Sequence, residues 1–454
     1  MFTRRDFLTR TLGGTSLLAV GSAIPEFLAN TALAADKDPK AKDKDTILVV
    51  VELEGGNDGL NTLAPYADDR YQAARPTLGF AKKEVLKIDD YVGLHPRMNQ
   101  LKQLYDEKKL AVVQGVGYPN PDRSHFESMD IWQQADPRRA QSTGWLARSI
   151  PGMHVSDAGV PGVFLGDNRL PVAMQGADGG VISLADRNSF KLQLSGNASP
   201  RKKLLEDLNA DDGAKADLAA FVRKRQLQTY TSLQKIEEAL KETGGGNPNQ
   251  PQPPPIPGRP GRGDNNDLST LNGKLGLVGR LIGKGLGTRI YYVAIGGFDT
   301  HARQADQHEV LLGEVSSAIG SFFTGMQKDD AERVVLMTFS EFGRRVKENG
   351  SRGTDHGAAS CLFVAGPKVK GGLVGKYPKL DDLTDGDLKF TTDFRSVYAT
   401  LLDQWLGVES RAVLGEKFDH LALVDKDKKT DAPAAPGGPK PTGAGAPTPP
   451  PVKQ

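Results

Sequence analysis

The sequence predicts an α/β fold with a mainly parallel central sheet covered by helices on both faces. Three observations predict it. Short, continuously apolar runs rich in β-branched residues recur along the chain, segments with helical apolar spacing lie between them, and polar glycine-containing segments flank the runs. Runs without polar alternation are what strands buried on both faces look like. Strands alternating with helices imply a parallel sheet with covered faces.

The predicted strands are Ile47-Leu48-Val49-Val50-Val51, Leu110-Ala111-Val112-Val113, the run from Arg289 to Ile295, Val334-Val335-Leu336-Met337 and Cys361-Leu362-Phe363-Val364. Helical spacing appears from Met98 to Lys108 (Leu101, Leu104, Tyr105) and from Asp217 to Lys241 (Leu218, Phe221, Val222, Leu227, Leu233, Ile236). It appears again from Glu309 to Met326 (Val310, Leu311, Val315, Ile319, Phe322, Phe323) and from Asp393 to Leu406 (Phe394, Val397, Leu401, Leu402).

The chain opens Met1-Phe2-Thr3-Arg4-Arg5-Asp6-Phe7-Leu8, followed by a weakly apolar stretch from Leu12 to Ile24 and the small-x-small pattern Ala32-Leu33-Ala34. These parts form a signal peptide, and the arginine pair before Phe-Leu resembles the twin-arginine type. The apolar stretch falls short of the roughly 20 residues that a membrane span needs. We therefore expect export through the twin-arginine translocase, cleavage near Ala34, a periplasmic or secreted product and no stable membrane anchor. Residues 35–45 read as a charged flexible leader and 46–425 as one folded domain. A Pro/Gly-rich linker at 244–266 interrupts it, and 426–454 form a Pro/Ala-rich tail.

The 454 residues carry a net charge of +2, and removing the signal leaves it near neutral. That balance gives no electrostatic reason to expect nucleic acid or an anionic membrane as partner. With Cys361 the one cysteine, no intramolecular disulfide forms. The domain must be held by its core, and chains of this length bury about three-quarters of their surface.

In such a sheet, ligands bind beyond the carboxyl ends of the strands. The segments there are polar. Glu54-Gly55-Gly56-Asn57-Asp58-Gly59-Leu60-Asn61 follows the first run, and Tyr118-Pro119-Asn120-Pro121-Asp122-Arg123-Ser124-His125 follows the second. Gly296-Gly297-Phe298-Asp299-Thr300-His301 follows the third, Ser340-Glu341-Phe342-Gly343-Arg344-Arg345 the fourth, and Gly353-Thr354-Asp355-His356-Gly357 precedes the fifth. Together they hold three of the seven histidines. Imidazole with carboxylate suits divalent ions such as zinc or manganese. Each segment also has a plain structural reading. Gly-Gly-Asn-Asp-Gly suits an ordinary turn, Asp299 or Thr300 suits a helix N-cap, as does Ser124, and Glu341 suits pairing with Arg344 or Arg345. An acid and an imidazole side by side between glycines, as at Asp355-His356, are harder to explain by structure.

These segments, in this order behind such a signal, resemble a bacterial family of exported proteins of unknown function, itself distantly similar to the alkaline phosphatase and sulfatase superfamily. The residues that carry the resemblance are Gly55 to Thr62, Arg123-Ser124-His125-Phe126, Phe298-Asp299-Thr300-His301, Ser340 to Arg344 and Gly353 to Gly357. The superfamily likeness implies an alkaline-phosphatase-like core and a metal-dependent hydrolase of sulfate or phosphate esters on small molecules or glycans, with zinc, manganese or calcium as cofactor. A two-metal site of that kind clamps the attacking and leaving oxygens.

Carried over by position, Asn57 and Asp58 are metal-ligand candidates after the first strand. Asp299 and His301 resemble an Asp…His pair, more closely spaced than usual. Glu341 stands for an aspartate, and Phe342 stands where a histidine would. Asp355 and His356 resemble a late histidine motif. The segment Pro119 to Arg123 looks like the sulfatase nucleophile loop, with proline at the nucleophile position. Ser124, beside the possible base His125, and Arg123 are then the catalytic candidates, with water activated by a metal as the other source of attack. The rival expectation is a non-catalytic binding or scaffold protein on a degenerate hydrolase fold. A third is an envelope interaction protein working through its linker and tail.

Overall fold

The computed structural model describes residues 46–153, 155, 160–166, 170–176, 181–184 and 268–427. The signal, the leader, the 217–241 helical pattern, the 244–266 linker and all of the tail beyond Asp427 lie outside the described residues.

A nine-stranded sheet organises the molecule. Its strands are β1 (Ile47–Leu53), β2 (Leu110–Gly117), β3 (Gly162–Leu165), β4 (Ile182–Leu184), β5 (Ile290–Ile295), β6 (Val334–Phe339), β7 (Ser360–Ala365), β8 (Gly372–Val374) and β9 (Thr392–Asp393). The order is β8-β2-β7-β6-β1-β5-β3-β4, with β9 also paired to β2. All neighbouring pairs are parallel except the two made by β7. Reversal of β7 has a direct consequence. Its amino end lies at the same edge as the carboxyl ends of β1, β2, β5 and β6, so the segment before β7 joins the four segments that follow those strands.

Alternate residues of β1 serve two cores. Val49, Val51 and Leu53 pack with Leu101, Leu275, Val278, Val315 and Ile319. Leu48 and Val50 pack with Trp132, Trp145, Tyr398 and Trp405 on the other face. Helices α1 (Asn99–Asp106), α3 (Leu271–Gly283) and α4 (Gln304–Gly325) cover the first face. Helices α2 (His125–Gln134) and α5 (Phe394–Thr400) cover the second. Each fully buried aliphatic or aromatic side chain contributes about 1.5–3 kcal/mol, which accounts for a strand that feeds two cores being apolar at every position but Glu52.

Two helices differ from expectation. Helix α4 begins at Gln304 rather than Glu309, because Arg303 adopts a left-handed conformation (φ 45°) and turns the chain in earlier. The helix expected over 393–406 is α-helical only to Thr400 and continues as a π-helical stretch, Leu401–Leu406, that stops at Gly407 (φ 72°). Among the described residues no helix is long and apolar enough to cross a membrane.

Candidate metal centre

Three imidazoles and one carboxylate converge at the edge where the five segments meet. His125 is the first residue of α2. Asp299 and His301 follow β5, and His356 precedes β7. His301 Nε2 lies 2.9 Å from His356 Nε2 and 3.0 Å from Asp299 Oδ1. His356 Nε2 lies 3.2 Å from Asp299 Oδ1, and His125 Nε2 lies 3.6 Å from Asp299 Oδ2.

The other ring nitrogens fix the tautomers. His125 Nδ1 is 2.7 Å from Glu341 Oε1 and His356 Nδ1 is 2.7 Å from the Arg123 carbonyl. A carboxylate and a carbonyl only accept, so each Nδ1 carries the hydrogen and donates. In the neutral rings each Nε2 is then left with a lone pair aimed at the shared point. His301 Nδ1 faces Asp355 Oδ1 at 3.4 Å and follows the same arrangement more loosely. A carboxylate or carbonyl behind the outer nitrogen is how proteins hold metal-ligating histidines.

This arrangement is unsatisfied by itself. His125 Nε2 is buried and, among the described residues, has no hydrogen-bond partner. Lone pairs on neighbouring nitrogens, with a carboxylate oxygen between them, repel unless a proton or a cation lies among them. The spacing fits a cation. Zinc–nitrogen bonds of about 2.0–2.1 Å place tetrahedral ligand atoms about 3.3 Å apart, close to the separations found. Ligand atoms of His125, Asp299 and His356 all lie within 4.8 Å of one another, and His301 adjoins this group through Asp299 and His356.

The local electrostatics follow from the same contacts. Burial alone would raise the Asp299 carboxyl, but the Arg344 guanidinium at 2.8 Å, with His356 and His301, holds it below the ordinary range. The Glu341 hydrogen bond raises His125, against the effect of burial. Burial lowers His356, and Arg344 and His125 add to that, outweighing the Arg123 carbonyl and Asp299. Divalent ions require neutral imidazole, so binding displaces any proton held at His125.

A fully buried arginine ties the segments together. Arg344 donates to the carbonyls of Gly55, Gly56, Phe298 and Thr354 and to Asp299. Two glycines let the segments come this close. Gly55 (φ +115°) has no room for a side chain, since a Cβ there would fall 2.4 Å from the Asp299 nitrogen. A Cβ on Gly353 would fall 2.2 Å from the His301 carbonyl carbon. Phe342 is buried beneath the rings, 4.9 Å from His125 and 4.7 Å from His356 between centroids. It gives the rings an apolar floor.

The remaining candidates are placed as follows. Glu341 holds His125 rather than Arg344 or Arg345, and also accepts from the Gly55 N–H at 2.9 Å. Asp355 stands behind His301. Arg123 contributes its carbonyl, while its side chain pairs with Asp387. Ser124 occupies the N-cap position of α2 without a side-chain cap bond. Both nitrogens of His125 are directed elsewhere, at Glu341 and at the shared point, so the ring is not oriented as a base for Ser124. Asn57 and Asp58 do not face the histidines. Asn57 Oδ1 meets His308 Nε2 at 2.9 Å. Asp58 is fully buried, with its two oxygens on Arg75 and on Gln304, because a carboxylate taken out of water needs a fixed counter-charge.

Several comparisons bear on the chain. A search of the curated proteins finds no match. Among solved structures, the PsFucS1 sulfatase from Pseudoalteromonas sp. shows 10% identity and a TM-score of 0.37, covering 90% of this chain and 78% of that one. Ps i-CgsB shows 11% identity and a TM-score of 0.29, covering 83% and 73%. A 2-O GAG sulfatase shows 11% and 0.29, covering 82% and 75%. Residues 45–429 match the sequence profile of a protein family of unknown function, DUF1501. The chain, with its five polar segments gathered at one sheet edge, belongs to that family.

Proposed function

We propose that the protein is an exported, metal-dependent hydrolase of sulfate or phosphate esters, with His125, Asp299, His301 and His356 holding one divalent ion. The observation that carries this reading is the set of ring nitrogens gathered around Asp299 at close spacing, with the buried His125 nitrogen lacking a hydrogen-bond partner among the described residues. Nitrogen-rich donors suit zinc or manganese, whereas calcium prefers six to eight oxygens. When bound, the ion would act as a Lewis acid toward an ester oxygen. The protein's own part is to fix the rings from behind through Glu341, Asp355 and the Arg123 carbonyl, and to shield the floor with Phe342. The twin-arginine signal and the periplasmic or secreted location belong to the same proposal, since a chain folded before export carries its metal with it.

A second reading, a metal-holding but non-catalytic binding protein, is favoured by Pro119 at the expected nucleophile position and by Phe342 at a ligand position. Elemental analysis of the purified protein, beside His356→Ala, comes first. The proposal expects near-stoichiometric zinc or manganese, reduced in the variant, and chelator-sensitive hydrolysis of aryl sulfate or phosphate esters. Metal without turnover of either class favours the binding protein. No metal after growth with added zinc and manganese sinks both.

A further inference from the structure

Three of the five segments meet behind the histidines on one buried side chain. Gln304, the first residue of α4, is 0% exposed. Its Nε2 donates to Asp58 Oδ2. Its Oε1 accepts from Thr300 Oγ1 at 3.1 Å and from Thr354 Oγ1 at 2.5 Å. Thr300 stands between Asp299 and His301, and Thr354 two residues before His356. The amide can face only one way. A carboxylate only accepts, so the NH₂ must point at Asp58 and the oxygen at the two hydroxyls.

The anchor behind Gln304 is rigid. Arg75, fully buried, grips both oxygens of Asp58 and also donates to Asn61 Oδ1 at 3.0 Å and to the Val346 and Arg345 carbonyls at 2.8 Å. Backbone bonds from Arg303 to Ser351, from Gln304 to Arg352 and from Thr354 to Thr300 zip the two histidine-bearing segments together. They do not tie that pair to the first segment. Arg344 and the Phe298 N–H on the Glu54 carbonyl tie the pair to the start of that segment, and the Gln304 amide ties it to Asp58.

We propose that Gln304 is a positioning residue of the metal centre. By holding Thr300 and Thr354 on one oxygen and Asp58 on its nitrogen, it sets where His301 and His356 present their Nε2 atoms. The inference rests on the metal reading above. A supporting shell left loose displaces ligands by about 1 Å, enough to spoil a site, and loss of outer partners typically costs about 10–100-fold in metal affinity.

The test uses the full chain stripped of metal and titrated with cobalt(II), following the visible absorption that reports ligand number and geometry. Gln304→Ala and Thr354→Val should bind cobalt about tenfold or more weakly, with changed band intensities, while Thr354→Ser stays within about twofold of wild type. A purely structural role would lower thermal stability without altering the spectrum of the saturated site. Wild-type affinity and spectrum in Thr354→Val, or equal impairment in Thr354→Ser, would overturn the inference, and Thr354→Val decides alone should Gln304→Ala not fold. Failure of the wild type to bind cobalt is a separate result. It removes the metal reading and this inference with it.

Discussion

Two groups of histidines sit at the same edge of the sheet and are put to opposite uses. His125, His301 and His356 are partly exposed, are held at Nδ1 and direct Nε2 to a common point. His95 and His308 are buried, pack edge-on to each other at 5.8 Å and lie beside a carboxylate already claimed by Arg75. Burial pushes His95 down to about 3 and His308 down to about 4, so both stay neutral at ordinary pH. The difference lies in the neighbouring carboxylate. Asp299 is shared among three rings and half-exposed, whereas Asp58 is neutralised by a guanidinium out of water. One cluster gathers ring nitrogens around a half-exposed acid, and the other already contains its own cation, Arg75.

The largest expected effect comes from breaking the closed cluster. Arg75→Met strands Asp58 as a buried charge and should cost about 3–5 kcal/mol in chemical denaturation. Adding Asp58→Asn should recover part of it, since two neutral groups are cheaper than one unpaired charge. A loss below about 1 kcal/mol in the single variant would place Asp58 in solvent and erase the contrast.

Next in size is Glu341→Gln, which keeps the shape behind His125 but removes its charge. Metal affinity should fall about tenfold, at the low end of the range for outer partners, with the unfolding midpoint little changed. Unaltered affinity in a competition titration would show that His125 is not a ligand.

The smallest effect is a slope. The unfolded histidines titrate near 6.5, so between about 6.5 and 4 the unfolded chain takes up protons that folded His95 and His308 refuse. Stability from these groups is therefore full above that window and lost as pH falls, by at most about 1.4 kcal/mol per pH unit for each ring. Glu52, pushed up to about 8 by burial, works the other way: it keeps its proton when folded, so its contribution is lost as pH rises from about 4.5 to 8. The difference between His95→Phe and wild type isolates the histidine part. The variant should lose stability less steeply on acidification, and equal slopes would show that His95 is protonated in the folded protein.

Much of this was legible in the sequence. The β-branched runs at Ile47, Leu110, Ile290, Val334 and Cys361 became strands because nothing but apolar residues could face two cores. Strands β3, β4 and β8 escaped notice because they are three or four residues long and supported by neighbours rather than by their own pattern. Helix α3 was hidden by Gly273, Gly276 and Gly279, which read as breakers. Packing of Leu271, Leu275, Val278 and Leu281, with Thr270 capping at Gly273, outweighs their cost. At the site, motif position singled out Asp299, His301 and His356 as ligand candidates and His125 as a base, and these four side chains lie together. It could not sort Asp299 from Asp58, because the partner that decides, Arg75, stands outside every motif. Gln304 was invisible for a like reason: a neutral amide at a helix start has no sequence signal until both its ends are seen to be occupied.

The most direct test of the central claim is X-ray absorption at the zinc edge of the fully loaded protein. The account predicts about four light-atom scatterers at about 2.0–2.1 Å, with the outer-shell pattern of several imidazole rings, weakened in His356→Ala. A six-oxygen shell, or an imidazole pattern untouched by that substitution, would contradict it.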